Sequence, residues 1–270
     1  MSVSLVDIGI NLTDLAFKPD CADVIERARQ AGVSTLIITG TDLASSQHAL
    51  RLCNKVGAGL FCTAGVHPHY AKEWTDDYHE QLLELTRHDQ VIAIGETGLD
   101  YNRNLSPPDV QRRVFEAQLG LAASTGLPLF LHERDAAEDQ LTLLRRYRDR
   151  IAGGVVHCFT GSADVMQQYL ALDLYIGITG WICDERRGLE LRDQVKDIPL
   201  NRLLLETDGP YLLPRDLNPK PKSRRNEPMY LPHIAAAVAG CMGIDVAELA
   251  AATTQNAQQL FNLKSVATAQ

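Results

Sequence analysis

Four residues of this chain have the types and spacing to hold a divalent cation. Glu96, His132, His157 and Asp208 each stand at or just beyond the C-terminal end of a short apolar run: AIGE (93–96), LFLH (129–132), VVH (155–157) and LLLETD (203–208). Two imidazoles and two carboxylates form a donor set suited to zinc, manganese or magnesium. Strand alternation puts Ile92, Ile94 and Glu96 on one face. The same parity joins Phe130 to His132, Val155 to His157 and Glu206 to Asp208. Singly, each residue has a plainer role. A histidine ending a strand is usually a satisfied hydrogen-bonding group, and Asp208 before Gly209-Pro210 suits a turn. Four at matched positions are harder to explain that way.

Weaker candidates surround these four. In His67-Pro68-His69 the proline makes a turn, and His67, which ends the run before it, is expected to face the site. Asp7 lies within the first run and Asn11 just beyond it. Arg134, two residues beyond His132, can face the same pocket or pair with Asp135 or Glu138. Arg186 and Arg187 suit a phosphate clamp or a solvated helix start. His48, His79 and His88 fall in helical stretches with polar neighbours and are read as solvated. Cys158 has the opposite parity to His157 and is expected to face a helical layer. No GxSxG, P-loop or recognisable Cys–His arrangement is present. Metal-activated water is the chemistry that remains.

Eight apolar runs must position these groups: 5–10, 35–40, 60–66, 91–95, 127–131, 153–156, 174–179 and 203–205. Nearly continuous apolar character marks parallel strands buried on both faces. The segments between them read as helical. The clearest is 108–126, with Val110, Val114, Ala117 and Leu121 at helical spacing. Ser106 can cap it, Pro107 and Pro108 suit its first turn, and Gly126 suits its end. Eight strand–helix alternations predict an α/β fold, a single (β/α)8 TIM-type barrel. Its active site lies where the C-terminal strand ends converge. A doubly wound sheet is the alternative, weakened by the lack of GxGxxG after the first run. The barrel is expected over 1–264, with a loose tail at 265–270. Residues 213–228, LPRDLNPKPKSRRNEP, are proline-rich with five basic residues and read as an ordered loop over the barrel mouth.

Of the 270 residues, 45% are hydrophobic and 22% charged, ordinary for a globular enzyme. The net charge of −8 argues against a protein that coats long nucleic acids, though not against a small basic pocket. Six cysteines without a CxxC read as reduced, mostly buried thiols of a cytoplasmic protein. Neither a signal peptide nor a membrane-spanning run is recognisable. No membrane association and no obligate protein partner are expected.

Read together, GVHPH (65–69), AIGETGLDY (93–101), LFLHERDA (129–136), VVHCFTGS (155–162), YIGITGW (175–181), LLLETDGPYL (203–212) and KSRRNEP (222–228) resemble the TatD family of metal-dependent deoxyribonucleases. The resemblance runs in order over nearly the whole chain. It implies a barrel hydrolase that cuts phosphodiesters, as a 3′-5′ exonuclease on single-stranded DNA and RNA, in repair or nucleic-acid turnover. It implies Glu96, His132, His157 and Asp208 as metal ligands, magnesium as the ion with manganese and zinc as alternatives, and His67 at the family's HPH histidine. In this scheme Asp208 positions or deprotonates the attacking water. His67 and Arg134 contact phosphate, and Lys222, Arg224 and Arg225 grip flanking phosphates. One departure stands out. Most relatives open with DxHxH, whereas Gly9 and Asn11 occupy those positions here. A second metal position would then draw only on Asp208, a shared Glu96 and Asp7. The competing functions are an amidohydrolase-type or aminoacyl-tRNA ester hydrolase, and a non-catalytic scaffold with a decayed metal site.

Overall fold

A computed structural model of the chain describes residues 4–263; the expected tail at 265–270 lies outside them. Eight strands form one sheet in chain order. They are β1 (Leu5–Ile10), β2 (Val33–Ile38), β3 (Leu60–Ala64), β4 (Val91–Asp100), β5 (Leu129–Arg134), β6 (Gly154–Val156), β7 (Tyr175–Ile178) and β8 (Leu203–Leu205). Pairing is parallel in β1–β2, β3–β4, β4–β5, β5–β6 and β7–β8. Just beyond β8, the Asp208 N–H donates to the Gly9 carbonyl of β1 at 2.8 Å, so the first strand meets the last. The topology is that of a (β/α)8 barrel.

Helices alternate with the strands: α1 (Cys21–Gln30), α2 (Leu43–Val56), α3 (Tyr78–Leu85), α4 (Pro108–Thr125), α5 (Ala137–Tyr147), α6 (Ala163–Ala171), α7 (Leu189–Gln194), α8 (Leu231–Met242) and α9 (Val246–Leu260). The chain packs as two compact units. One comprises the chain up to Ile38, Cys158–Thr160 and the chain from Ile176 onward. The other comprises Thr39–His157 and Gly161–Tyr175. Among the described residues no single helix is long and apolar enough to cross a membrane.

Several elements differ from the pattern in the sequence. β4 runs to Asp100 rather than stopping at 95, and all ten of its residues are buried. Its glycines look like a turn in the sequence, but they let it lie close to its neighbour. Gly95 (φ 148°) and Gly98 (φ 138°) sit where a Cβ would strike the carbonyls of Phe130 and His132 in β5. Helix α4 matches its expected span, and Gly126 ends it with φ 72°. Ser106 does not cap it. Its hydroxyl instead donates to the His69 carbonyl and accepts from the Lys72 N–H, both at 3.0 Å. The buried stripe of α4 also carries Gln111 and Gln118 beside Val114, Phe115 and Leu121, whereas Val110 and Ala117 are only half-buried. His88 lies in a bend beyond α3 rather than on a helix.

Within the first unit a buried carboxyl joins the two terminal strands. Asp7 accepts from the N–H of Thr207 at 2.9 Å, from the Thr207 hydroxyl and from the Gly9 N–H at 3.3 Å. It is fully buried, and burial pushes its carboxyl up to about 7 despite those bonds. Since the folded value exceeds that of an unfolded aspartate, the favourable contribution is complete below about pH 4 and is lost as pH rises through about 7. The stability of the wild type to heat should therefore weaken between about pH 4 and 7, by as much as about 4 kcal/mol. Asp7→Asn, a neutral group of the same shape, should flatten that slope. An equal slope in both proteins would show that Asp7 stays ionised.

Candidate metal centre

The second unit brings four of the expected residues together. His157 Nε2, His132 Nδ1 and His67 Nε2 lie 2.9, 3.1 and 3.3 Å from a single atom, Glu96 Oε1. Glu96 and His132 lie within β4 and β5, and His67 and His157 follow β3 and β6. The Glu96 N–H donates to the Gly40 carbonyl at 2.6 Å, and the His157 N–H donates to Leu131 at 2.9 Å. The His157 ring stacks on Phe130 with centroids 4.8 Å apart. Both Glu96 and His157 are buried.

Two residues that the sequence argument did not select belong to this cluster. Asp100 Oδ2 lies 3.2 Å from His132 Nε2 and 2.8 Å from His69 Nε2. Both His132 ring nitrogens therefore face carboxylates. Asp100 shares parity with Glu96 along β4, the one sequence signal that could have found it. His69 was passed over in favour of His67, yet both rings enter, with centroids 4.2 Å apart. The His69 N–H donates to His67 Nδ1 at 3.1 Å, which leaves the His67 proton on Nε2, facing Glu96.

Buried glutamines hold the strand ends in place. Gln118 of α4 pairs with both backbone groups of Val66, next to His67, at 2.8 and 2.9 Å. Gln111 accepts from the Asp100 N–H at 2.8 Å and donates to the Asp100 and Ser106 carbonyls. Gln140 of α5 accepts from the Leu99 N–H at 3.0 Å. Strand ends leave backbone groups without sheet partners, and a buried amide satisfies a donor and an acceptor together.

The electrostatics suit a cation. Burial alone would raise Glu96, but the charges of His67 and His157 and bonds from His132 and His157 hold it well below the usual carboxylate range. Burial likewise opposes ionisation of Asp100, and bonds from His132 and His69 outweigh it. Burial pushes the His67 imidazole down to about 4, so that ring is neutral at neutral pH. His132 is raised: burial would lower it, and its bonds to Asp100 and Glu96 prevail. Ionised carboxylates among imidazoles fit a divalent ion; Glu96, His67 and His132 each offer a ligand atom, all within 4.8 Å of one another.

Asp208 belongs to the first unit. It follows β8 with φ 54°, and its Oδ1 accepts from Asn11 Nδ2 at 3.0 Å. Asn11 thus orients this carboxylate. Asp7 is engaged by Thr207 and Gly9, which removes it as the expected extra ligand. Cys158 lies beyond the end of β6, where alternation no longer applies. Its N–H donates to Glu206 at 2.5 Å and its Sγ lies 3.7 Å from Thr179 Oγ1. No cysteine forms a disulfide.

Of the basic candidates, Arg134 ends β5 half-buried, and Lys222 and Arg224 are exposed. Arg225 is not available to grip phosphate. It pairs in bidentate fashion with Asp20 at 2.8 Å, with Glu227 at 2.6 Å and with the Ala16 carbonyl at 2.7 Å, and lies over Phe17. Bonds from Arg225 hold Asp20 down to about 2. Arg187 pairs with Asp184 at 3.0 Å and covers the Trp181 ring at 4.6 Å. With Trp181, Arg215, Lys220 and Arg224 it lines a cavity of about 630 Å³ in the first unit.

Known proteins resemble this chain over nearly its whole length. The model of the TatD related DNase family matches residues 6–262. The "3'-5' ssDNA/RNA exonuclease TatD" of Shigella flexneri is 52% identical over 96% of this chain and 99% of its own length. The protein of the same name from Escherichia coli K12 is 51% identical over the same shares. A hydrolase of the TatD family from Entamoeba histolytica, of known structure, superposes with a TM-score of 0.89 at 31% identity, covering 97% of this chain and 99% of that one. Family match, barrel topology and the glutamate–histidine cluster coincide: the chain belongs to the TatD related DNase family.

Proposed function

We propose that this chain is a divalent-metal nuclease that removes nucleotides from the 3′ end of single-stranded DNA or RNA, in repair or turnover of nucleic acids. The observation that carries the proposal is the convergence of three imidazoles on one ionised, buried carboxylate oxygen. It occurs in a chain half identical to proteins named as such exonucleases. Glu96, His132 and His157, with Asp208 as a further ligand, would hold the ion. Its chemistry is Lewis acidity toward a phosphoryl oxygen. The carboxylates favour magnesium, and the imidazoles keep manganese and zinc in play.

The remaining work falls to side chains. Asp208, aimed by Asn11, takes the proton of the attacking water at its carboxylate. His67, with its proton on Nε2, and Arg134 offset charge on the transferring phosphate. Asp100 orients His132 and His69 from behind. Lys222 and Arg224 hold flanking phosphates. The cavity beside Trp181 offers the aromatic and guanidinium surface on which single-strand bases stack. Six thiols without a disulfide suit a reducing compartment, the cytoplasm.

The test is a panel: metal-loaded protein on 3′-labelled single-stranded DNA and RNA, on aminoacyl-tRNA and on small esters. Release of labelled mononucleotide is expected. Turnover confined to esters would overturn the assignment, and no turnover at all would leave the scaffold reading in its place. Salt dependence separates the basic residues. Arg224→Ala should reduce the log–log salt slope of binding by about 0.7, one phosphate contact on a single strand. Arg225→Ala should leave the slope unchanged and lower stability by about 1–2 kcal/mol, since it breaks a partly buried ion-pair network.

A further inference from the structure

The structure assigns a second cation site, for a thiophilic divalent ion such as zinc, to Cys183, Asp216 and His233. Cys183 closes the short 3-10 helix Gly180–Cys183 after β7. Asp216 lies in the basic loop after β8, and His233 is the third residue of α8. Their ligand atoms all lie within 4.8 Å of one another. His233 Nε2 and Asp216 Oδ1 are already 2.7 Å apart. Thiolate, imidazole and carboxylate together are a zinc donor set, and three protein ligands leave the fourth position to water. The Glu96 cluster contains no thiol, so the two centres differ in the metals they prefer.

The site needs little rearrangement. Ligands at ~2.0–2.3 Å from a tetrahedral ion stand about 3.3–3.7 Å from one another. Closing from 4.8 Å therefore asks for movements of about 1 Å. The Asp216 and His233 side chains, 32% and 34% exposed, are placed to make them and to admit an ion. A nucleophilic Cys–His pair is a different use of the same groups. Cys183 is fully buried, so its sulfur cannot meet a substrate carbon, whereas a bare ion entering between Asp216 and His233 can reach it. Arg192, whose Nε donates to the Ile182 carbonyl at 2.7 Å, places a positive charge near the thiolate that binding would create.

The three ligands come from three segments. An ion held there would staple the loop bearing Arg215, Lys220, Lys222 and Arg224 to α8 and to the turn after β7. This inference stands independently of the nuclease chemistry, and its readout is spectroscopic. The full chain, kept in excess magnesium, is titrated with cobalt(II). Two equivalents, enough to fill the Glu96 cluster as well, should produce a sulfur-to-cobalt charge-transfer band in the near ultraviolet that zinc displaces. The band should vanish in Cys183→Ser and in His233→Ala, the latter a surface change that leaves the fold intact. With zinc at about ten times its dissociation constant, tryptic cleavage after Lys222 and Arg224 should slow about tenfold, because opening the loop must release the ion. No band once cobalt saturates both centres, or a band that persists in His233→Ala, overturns the site.

Discussion

Glu96→Gln is expected to abolish nuclease activity, with a loss of at least about 10² to 10³-fold in turnover. Three ring nitrogens lie within 2.9–3.3 Å of one Glu96 oxygen. The neutral amide keeps the shape and removes the charge that lets a cation settle among them. Loss of manganese binding in calorimetry should accompany the loss of rate. The melting temperature should fall, because the surrounding histidines favour the charged carboxylate in the folded protein and the amide gives up that interaction. Full manganese affinity with lost activity would move Glu96 out of the ligand set and into proton transfer.

Asp208→Asn is expected to cost about 10² to 10⁴-fold, the range for a lost general base. Here the metal should still bind, since Glu96, His132 and His157 remain. Asn11→Ala should reproduce part of that loss, because Asp208 Oδ1 then lacks its 3.0 Å bond from Asn11. Activity of Asp208→Asn that recovers fully at higher pH would show that water is deprotonated elsewhere. Wild-type rates in Asn11→Ala would make the Asn11–Asp208 contact incidental.

The barrel and the centre of the cluster were legible because periodicity and strand-end position are local signals. Glu96, His132 and His157 each follow an apolar run, and the parallel topology does the rest. Asp100 was not legible for a specific reason. GETGLD has the composition of a turn, and only the close approach of β4 to β5 turns it into strand. The glutamine clamps were hidden similarly. Gln111 and Gln118 interrupt the apolar face of α4, and their use depends on Asp100 and on Val66, 11 and 52 residues away. Arg225 misled because a basic loop looks like a phosphate grip until Asp20 and Glu227 come alongside. Asp208 follows β8, and its contact with Asn11 spans 197 residues, a separation no local pattern reveals.

The Asp7–Thr207 clamp also sets a timetable for biogenesis. Its partners are 200 residues apart. At about 5–20 residues per second, β1 leaves the ribosome roughly 10–40 s before the group that caps its buried carboxyl. In that interval Asp7 lacks its two bonds from Thr207 and its apolar surroundings, and one edge of β1 is unpaired, a template for wrong association. Nascent chains halted short of Thr207 should expose β1 to protease and to chaperone capture. Chains released past β8 should not, and equal protection before and after that point would remove the delay.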